Sequence, residues 1–310
     1  MGPTHGPRLV LGPVLFLWEA PVWRDFYFRI ADEADVDCVV LGEVVCSKRQ
    51  HFHDALVDEV AVRLQAGGKA VRLASLALVT NEREVRTTRT LCARKGIEVE
   101  AEDLSAHHLL RDRPHAIGPL VNVYNGMAAR VLAARGARTI CLPPELPLAS
   151  IEAIVRDAPG IDFEVFAFGR IPLAISARCA HARVKGKTKD TCQFVCRDDP
   201  DGLPVDTLDG QHFLALNGVQ TMSYTCQSLL ADVPALIEAG IGGLRLSPQR
   251  CDMVGVAETF RRVAAGRLDP SEGQAELTTL YEGASFSNGF LHGEAGHRLV
   301  SATAMADGPD

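Results

Sequence analysis

The sequence predicts an α/β fold: a TIM-like (β/α) barrel with a cysteine-bearing insertion loop and a short C-terminal tail. Three observations predict it. Short β-rich apolar runs alternate with longer helical stretches almost from end to end, and such alternation implies parallel βα units. Many helical stretches end in glycine: Gly67-Gly68, Gly96, Gly136 and Gly240 stand where a left-handed C-cap falls. An open doubly wound sheet often carries a glycine fingerprint after its first strand, but here that position reads Gly12-Pro13-Val14, and no P-loop occurs. About eight or nine units fit a closed or nearly closed barrel better than an open sheet.

Taken in order, strands are expected at 8–14, 36–42, 69–78, 97–102, 116–123, 138–142, 162–168, 213–218 and 243–246. Helices are expected between most of them, at 54–66, 82–95, 127–135, 148–157, 229–239 and 252–264. The apolar opening 8–18 resembles an export signal in hydropathy only. Gly12 and Pro13 interrupt it, its start is weakly basic, and no small-residue cleavage pattern follows, so it reads as the first strand. The rhythm breaks once, at 171–211, a charged, Gly- and Pro-containing stretch with three cysteines that is too long for an ordinary βα connection. The expected organisation is a barrel over 1–265 that includes this loop, with 266–310 as a tail packed on it.

Composition narrows the function classes. With 310 residues, 47% hydrophobic, 27 Gly and 17 Pro, the chain suits one large α/β domain with a substantial core. No apolar run reaches the length that spans a bilayer. The formal net charge is −7 and basic residues form no long tracts, so nucleic acid is not an expected partner. Nine cysteines without an export signal argue against a disulfide scaffold and for a reducing, cytoplasmic location. In such a compartment, clustered thiols are better explained by metal or redox chemistry.

Cys179, Cys192 and Cys196 form C-x12-C-x3-C after the expected strand 162–168, which puts them at the carboxyl-terminal mouth, where barrel active sites are built. Three thiolates leave a tetrahedral site one ligand short. Cys38 sits mid-strand as a small core residue, Cys92 within a helix and Cys141 near a strand end. Cys46 follows the second strand by four residues, at the same mouth, and is the first choice for the fourth ligand, with Cys226 and Cys251 behind it. The chain has no C-x2-C pair of the kind zinc ribbons use. Chemistry alone leaves an iron–sulfur cluster, zinc and unligated thiols open, with the cluster favoured.

Other polar groups carry weaker expectations. His181 is expected to be solvated rather than a ligand, His51 and His53 to form the polar start of a helix, and His107-His108 to lie at the surface. Neither H-E-x-x-H nor G-x-S-x-G occurs, so hydrolysis is not expected. Glu43, Arg170, Asn217 and Arg245 fall at or near strand ends, where each either meets substrate or is satisfied within the barrel. No catalytic acid or base is assigned.

The segment 164–179, Glu-Val-Phe-Ala-Phe-Gly-Arg-Ile-Pro-Leu-Ala-Ile-Ser-Ala-Arg-Cys, resembles the signature of the collagenase-like U peptidase family. Leu-Gly-Pro-Val-Leu at 11–15, Leu-Gly-Glu-Val-Val-Cys-Ser-Lys-Arg at 41–49 and Leu-Asn-Gly-Val-Gln-Thr-Met-Ser at 216–223 resemble the branch of that family that serves ubiquinone synthesis. So do Arg-Leu-Ser-Pro-Gln at 245–249 and Asn-Gly-Phe-Leu-His-Gly at 288–293. The resemblance implies a 4Fe-4S cluster on Cys46, Cys179, Cys192 and Cys196. It implies a heterodimer with a UbiU-like, cluster-bearing relative, and oxygen-independent hydroxylation of a ubiquinone precursor. It also leaves two other roles open: RNA hydroxylation, which other family members support, and a structural subunit whose cluster stabilises a heterodimer. Phe168 and Pro172 stand where many peptidase-labelled relatives have histidine and cysteine, which weakens any peptidase expectation.

Overall fold

Runs such as Arg8-Leu-Val-Leu11 and Cys38-Val-Val-Leu41 are apolar and β-branched, and they form strands whose residues are almost all buried, as strands of a parallel sheet covered by helices are. The computed structural model describes residues 6–301. The outer ends of the two expected units, 1–5 and 302–310, lie outside the described residues.

The strands are β1 (Arg8–Leu11), β2 (Cys38–Leu41), β3 (Ala70–Ala74), β4 (Glu98–Ala101), β5 (His115–Ile117), β6 (Ala137–Leu142), β7 (Asp162–Ile175), β8 (Leu203–Asp206), β9 (His212–Asn217), β10 (Gln220–Ser228), β11 (Gly243–Leu246) and β12 (Phe286–Ser287). The helices are α1 (Ala20–Glu33), α2 (Asp54–Ala66), α3 (Glu82–Cys92), α4 (Leu104–Leu109), α5 (Gly126–Ala133), α6 (Leu148–Asp157), α7 (Ala180–Val184), α8 (Val233–Glu238), α9 (Met253–Ala264) and α10 (Pro270–Leu280). Strands β1 to β7 pair in sequence, all parallel, and β11 pairs in parallel with both β7 and β1. Eight strands therefore close into a parallel barrel with helices between them, the TIM-like architecture that the alternation predicts.

Local chemistry sets the element ends. Asn81, Asp103 and Asn125 cap α3, α4 and α5, each side chain accepting a backbone N–H of the first turn. Gly68, Gly96, Gly136 and Gly240 take positive φ, as expected for left-handed helix ends. At Gly136 a side chain is also barred sterically, because a Cβ would lie 2.5 Å from the carbonyl oxygen of Arg113.

The barrel interior is not a purely aliphatic core. Arg245 of β11 donates to both oxygens of Glu100 on β4, at 2.7 and 2.5 Å, and to Glu164 of β7 at 3.0 Å. Arg72 of β3 reaches Glu164 at 2.7 Å and Glu98 at 2.7 Å. Burial alone would raise the Glu164 carboxyl, but Arg72 and Arg245 outweigh it and hold it down to about 2. Glu102 shows the opposite balance: burial and the neighbouring Glu100 push it well above the carboxylate range.

β7 is the longest strand, 14 residues. Its first half belongs to the barrel, between β6 and β11. At Gly169, with φ of +125°, it leaves the wall and pairs antiparallel with β10. A Cβ there would sit 2.7 Å from the Cβ of Ser247, so the exit requires glycine. β9 and β8 extend this outer sheet, and β12 adds to β10.

Several expectations change accordingly. The run expected as a strand at 213–218 is β9, which lies in the outer sheet and not in the barrel, so the barrel has eight units. The stretch 171–211 is not loop throughout: β7 runs to Ile175, α7 follows, and Leu203–Asp206 is β8. β10 and α1 were not anticipated. The alternation of Gln220-Thr-Met-Ser-Tyr-Thr-Cys-Gln-Ser228 is largely polar, and α1 carries Pro21 in its first turn and a mean hydropathy close to zero. No helix of the described residues is long and apolar enough to cross a membrane.

Candidate metal centre

Two segments far apart in sequence meet at the carboxyl-terminal mouth. The first is the turn after β2. Glu43 accepts the backbone N–H groups of Val45 and Cys46, at 2.8 and 2.9 Å, and so fixes the start of the turn. Cys46 precedes a 3-10 turn, Ser47–Phe52, and its carbonyl accepts from the N–H of Arg49 at 2.8 Å, which folds Arg49 back over the cysteine. The second segment follows β7. Cys179 caps the short helix α7, its sulfur 3.3 Å from the N–H of Ala182. Gln193 and Phe194 both take positive φ, a tight reversal that carries the chain from Cys192 to Cys196.

Cys46, Cys179, Cys192 and Cys196 line one closed-in cavity together with Lys48, Arg49 and Lys189. The space between them is small, about 20 Å³, room for about one water. Among the described residues no three His, Cys, Asp or Glu side chains are drawn together as ligands of a bound metal ion are. Burial pushes the thiols of Cys46 and Cys179 up; Arg49 opposes this at Cys46, and the Ala182 N–H and Arg49 oppose it at Cys179.

Arg49 is the centrepiece of the arrangement, 1% exposed. Its guanidinium donates to the carbonyl of Leu15 at 3.0 Å and to Asn217 Oδ1 at 2.8 Å. Asn217 in turn donates to Leu15 and Gln220. The guanidinium also lies beside the sulfurs of Cys196 and Cys46, and its Nε has no hydrogen-bond partner. Among the sequence-flagged polar residues, Glu43 and Asn217 thus position this site. Arg245 is paired with carboxylates inside the barrel, and Arg170 lies on the outer sheet over the ring of Tyr224, with Asp201 at 3.4 Å.

His181 is not solvated, contrary to expectation. It is fully buried in α7, paired to Asp199 at 2.9 Å and to the carbonyl of Leu216 at 3.1 Å, and ties the cysteine segment to β9. His107 is buried as well, in α4, which a polar spacing did not foretell. His53 is buried against Trp23 and bonds the carbonyl of Trp18, while His51 is exposed; the two precede α2 as expected. Cys226, on β10, and Cys251 do not line the cysteine cavity; nor do Cys38, Cys92 and Cys141. Sequence reasoning missed Arg49: a cation three residues after a cysteine is visible in the sequence, but the turn and the distant Asn217 that give it its place are not.

The donor set fits an iron–sulfur cluster. Four cysteines, the soft donors such clusters require, line one space. A cluster on four thiolates is anionic, and a buried guanidinium with an unused N–H and two lysines stand around it. The cysteine segment around this space is open to solvent, its residues 185–191 being largely exposed.

A family model described as Peptidase family U32 matches residues 26–301. Among solved structures, the U32 peptidase Mk0906 aligns with a TM-score of 0.46 at 12% identity, covering 80% of this chain and 96% of that one. The phospho-2-dehydro-3-deoxyheptonate aldolase of Thermotoga maritima aligns at 0.42 with 9% identity, over 88% of this chain and 68% of that one. The spore cortex-lytic enzyme SleL of Bacillus cereus aligns at 0.34 with 10% identity, over 92% and 77%.

Proposed function

The chain belongs to peptidase family U32, and from that premise we propose that it is a UbiV-like protein. In this reading it carries a 4Fe-4S cluster on Cys46, Cys179, Cys192 and Cys196 and works with a UbiU-like partner in oxygen-independent hydroxylation of a ubiquinone precursor. The observation that supports the reading is the meeting of these four thiols, from segments more than 130 residues apart, on one cavity with a buried arginine.

When bound there, such a cluster supplies one-electron chemistry at a potential set by the charges and hydrogen bonds around its sulfurs. The chain's own residues define those conditions. Arg49, Lys48 and Lys189 offset the negative charge of four thiolates. The Ala182 N–H donates to Cys179 and lowers its proton affinity. Glu43 and Asn217 hold the turn and the guanidinium in place without touching the sulfurs as ligands.

Anaerobic reconstitution with iron and sulfide, followed by iron counting and visible absorption, tests the cluster. Replacement of any one of the four cysteines by Ala should abolish retention, whereas Cys38→Ala should leave it intact; zinc alone in anoxically purified protein defeats the reading. Gene deletion tests the pathway: anaerobic ubiquinone should fall while RNA hydroxylation stays unchanged. The reverse outcome assigns the chain to RNA hydroxylation.

A further inference from the structure

Beside the cysteine segment lies a second cavity, about 450 Å³, within the range of about 300–1,000 Å³ typical of small-molecule sites. It sits between the loop leaving β1, the loop leaving β11 and the residues after Cys196. Trp18, Val22, Phe26 and Pro200 make its wall apolar. Trp18 is fixed in place: its indole N–H donates to the Pro200 carbonyl at 2.9 Å, and its ring meets Phe26 edge-on at 5.2 Å.

Gln249 is the one fully buried polar side chain lining this cavity, 0% exposed. Its amide nitrogen donates to the carbonyls of Ser247 and Pro248, at 3.3 and 2.9 Å. Carbonyls only accept, so this pairing fixes which end of the amide is nitrogen. The oxygen, Oε1, is left without a partner. A buried acceptor in that state is unfavourable, and a ligand's donor would satisfy it.

Two cations border the cavity, and they differ. Arg197 is engaged, with Glu19 at 3.2 Å and the ring of Phe52 at 4.6 Å. Arg250 is exposed and enters no ion pair among the described residues; the nearby Asp252 is taken by Arg29. The cavity thus offers an aromatic-lined body, one buried acceptor and one unengaged cation.

We propose that this cavity binds a hydroxyaryl acid, with the ring against Trp18 and Phe26, the hydroxyl donating to Gln249 Oε1 and the carboxylate facing Arg250. The assignment rests on the ring-hydroxylation reading only for the fate of the ligand; binding is read from the cavity itself.

The test uses anaerobically purified full-length protein, with iron counted on the same sample, and three probes: 4-hydroxyphenylpropionate, phenylpropionate and 4-hydroxyphenylpropionamide. Calorimetry should rank the hydroxy acid first, with loss of the hydroxyl or of the charge each weakening binding about tenfold, the worth of one hydrogen bond or ion contact. Gln249→Met should bring the hydroxy acid down to the level of phenylpropionate and leave phenylpropionate unchanged. Arg250→Gln should weaken both acids and spare the amide. Because Gln249 is buried, Val22→Trp, at a 56% exposed position on the rim, serves as the second variant and should block all three probes with the melting temperature unchanged. Equal affinity for hydroxy and deoxy probes, or no binding by any, overturns the proposal. Hydroxyl-dependent binding in protein that cannot hold iron upholds the cavity while defeating the cluster; an iron-loaded protein that ignores the probes does the reverse.

Discussion

The interior of the barrel and its mouth both bury arginines, yet they use them differently. Inside, Arg245 and Arg72 are matched by carboxylates: Glu100, Glu164 and Glu98 all lie within 3.0 Å of a guanidinium nitrogen. At the mouth, Arg49 is just as deeply buried but pairs with no carboxylate among the described residues; its partners are a carbonyl and an amide oxygen, and the thiols of Cys196 and Cys46 stand beside it. A buried cation matched by carboxylates holds structure together; one hydrogen-bonded only to neutral oxygens, beside the sulfurs of Cys196 and Cys46, keeps a charge that an anion would offset.

The largest way to break this contrast is to unpair the interior. Arg245→Met strands Glu100, leaves Glu164 hydrogen-bonded to Arg72 alone, and should cost about 3–5 kcal/mol in urea unfolding; a loss under about 1 kcal/mol would mean the network is not structural. At the mouth, Arg49→Met removes donors to Leu15 and Asn217 and should cost less, about 1–3 kcal/mol, while cutting iron retained per chain in reconstituted protein. If stability fell and iron binding did not, Arg49 would belong with the interior arginines.

A third buried pair sharpens the comparison through pH. His115 Nδ1 lies 2.7 Å from the Arg113 carbonyl and must donate to it, so its Nε2 accepts from His107 Nδ1 at 2.9 Å and His107 Nε2 is left without a partner. Burial, then His115, lowers His107 to about 4. The unfolded chain, with an ordinary histidine, therefore binds the extra proton first, and stability is lost as pH falls from about 6.5 towards 4. A Tm drop of about a few degrees across that window is expected, reduced in His107→Gln. The smallest effect belongs to the cysteines: Cys46→Ala in iron-free protein should change stability by less than about 1 kcal/mol, since it removes a half-buried thiol from a small cavity.

The barrel was legible because its strands are short apolar runs separated by helices with glycine ends, a local pattern that burial on both faces imposes. β10 was not, because its polar alternation, Gln220 to Ser228, serves a sheet that lies outside the barrel and is stabilised by pairing with β7 rather than by hydrophobicity. The four cysteines could be singled out from spacing and strand ends. Arg49, His181 and the Trp18 cavity could not be placed, since each depends on which distant segments come together: Arg49 on Asn217, His181 on Asp199, Trp18 on Pro200. Histidines in polar sequence were read as solvated, and tertiary pairing overrode that rule at His107 and His181.

β7 is a member of two sheets at once, barrel stave below Gly169 and outer-sheet strand above it. The cysteine segment is thus mounted on a continuation of the wall itself, like a bracket forged with the beam. Its base, Ile175, is locked to Gln220 in register, so amide hydrogens on β7 should exchange slowly well beyond the barrel rim. That protection should fall away only beyond Ser176, whose N–H still bonds the Val219 carbonyl, so the wall's grip on the chain reaches almost to Cys179.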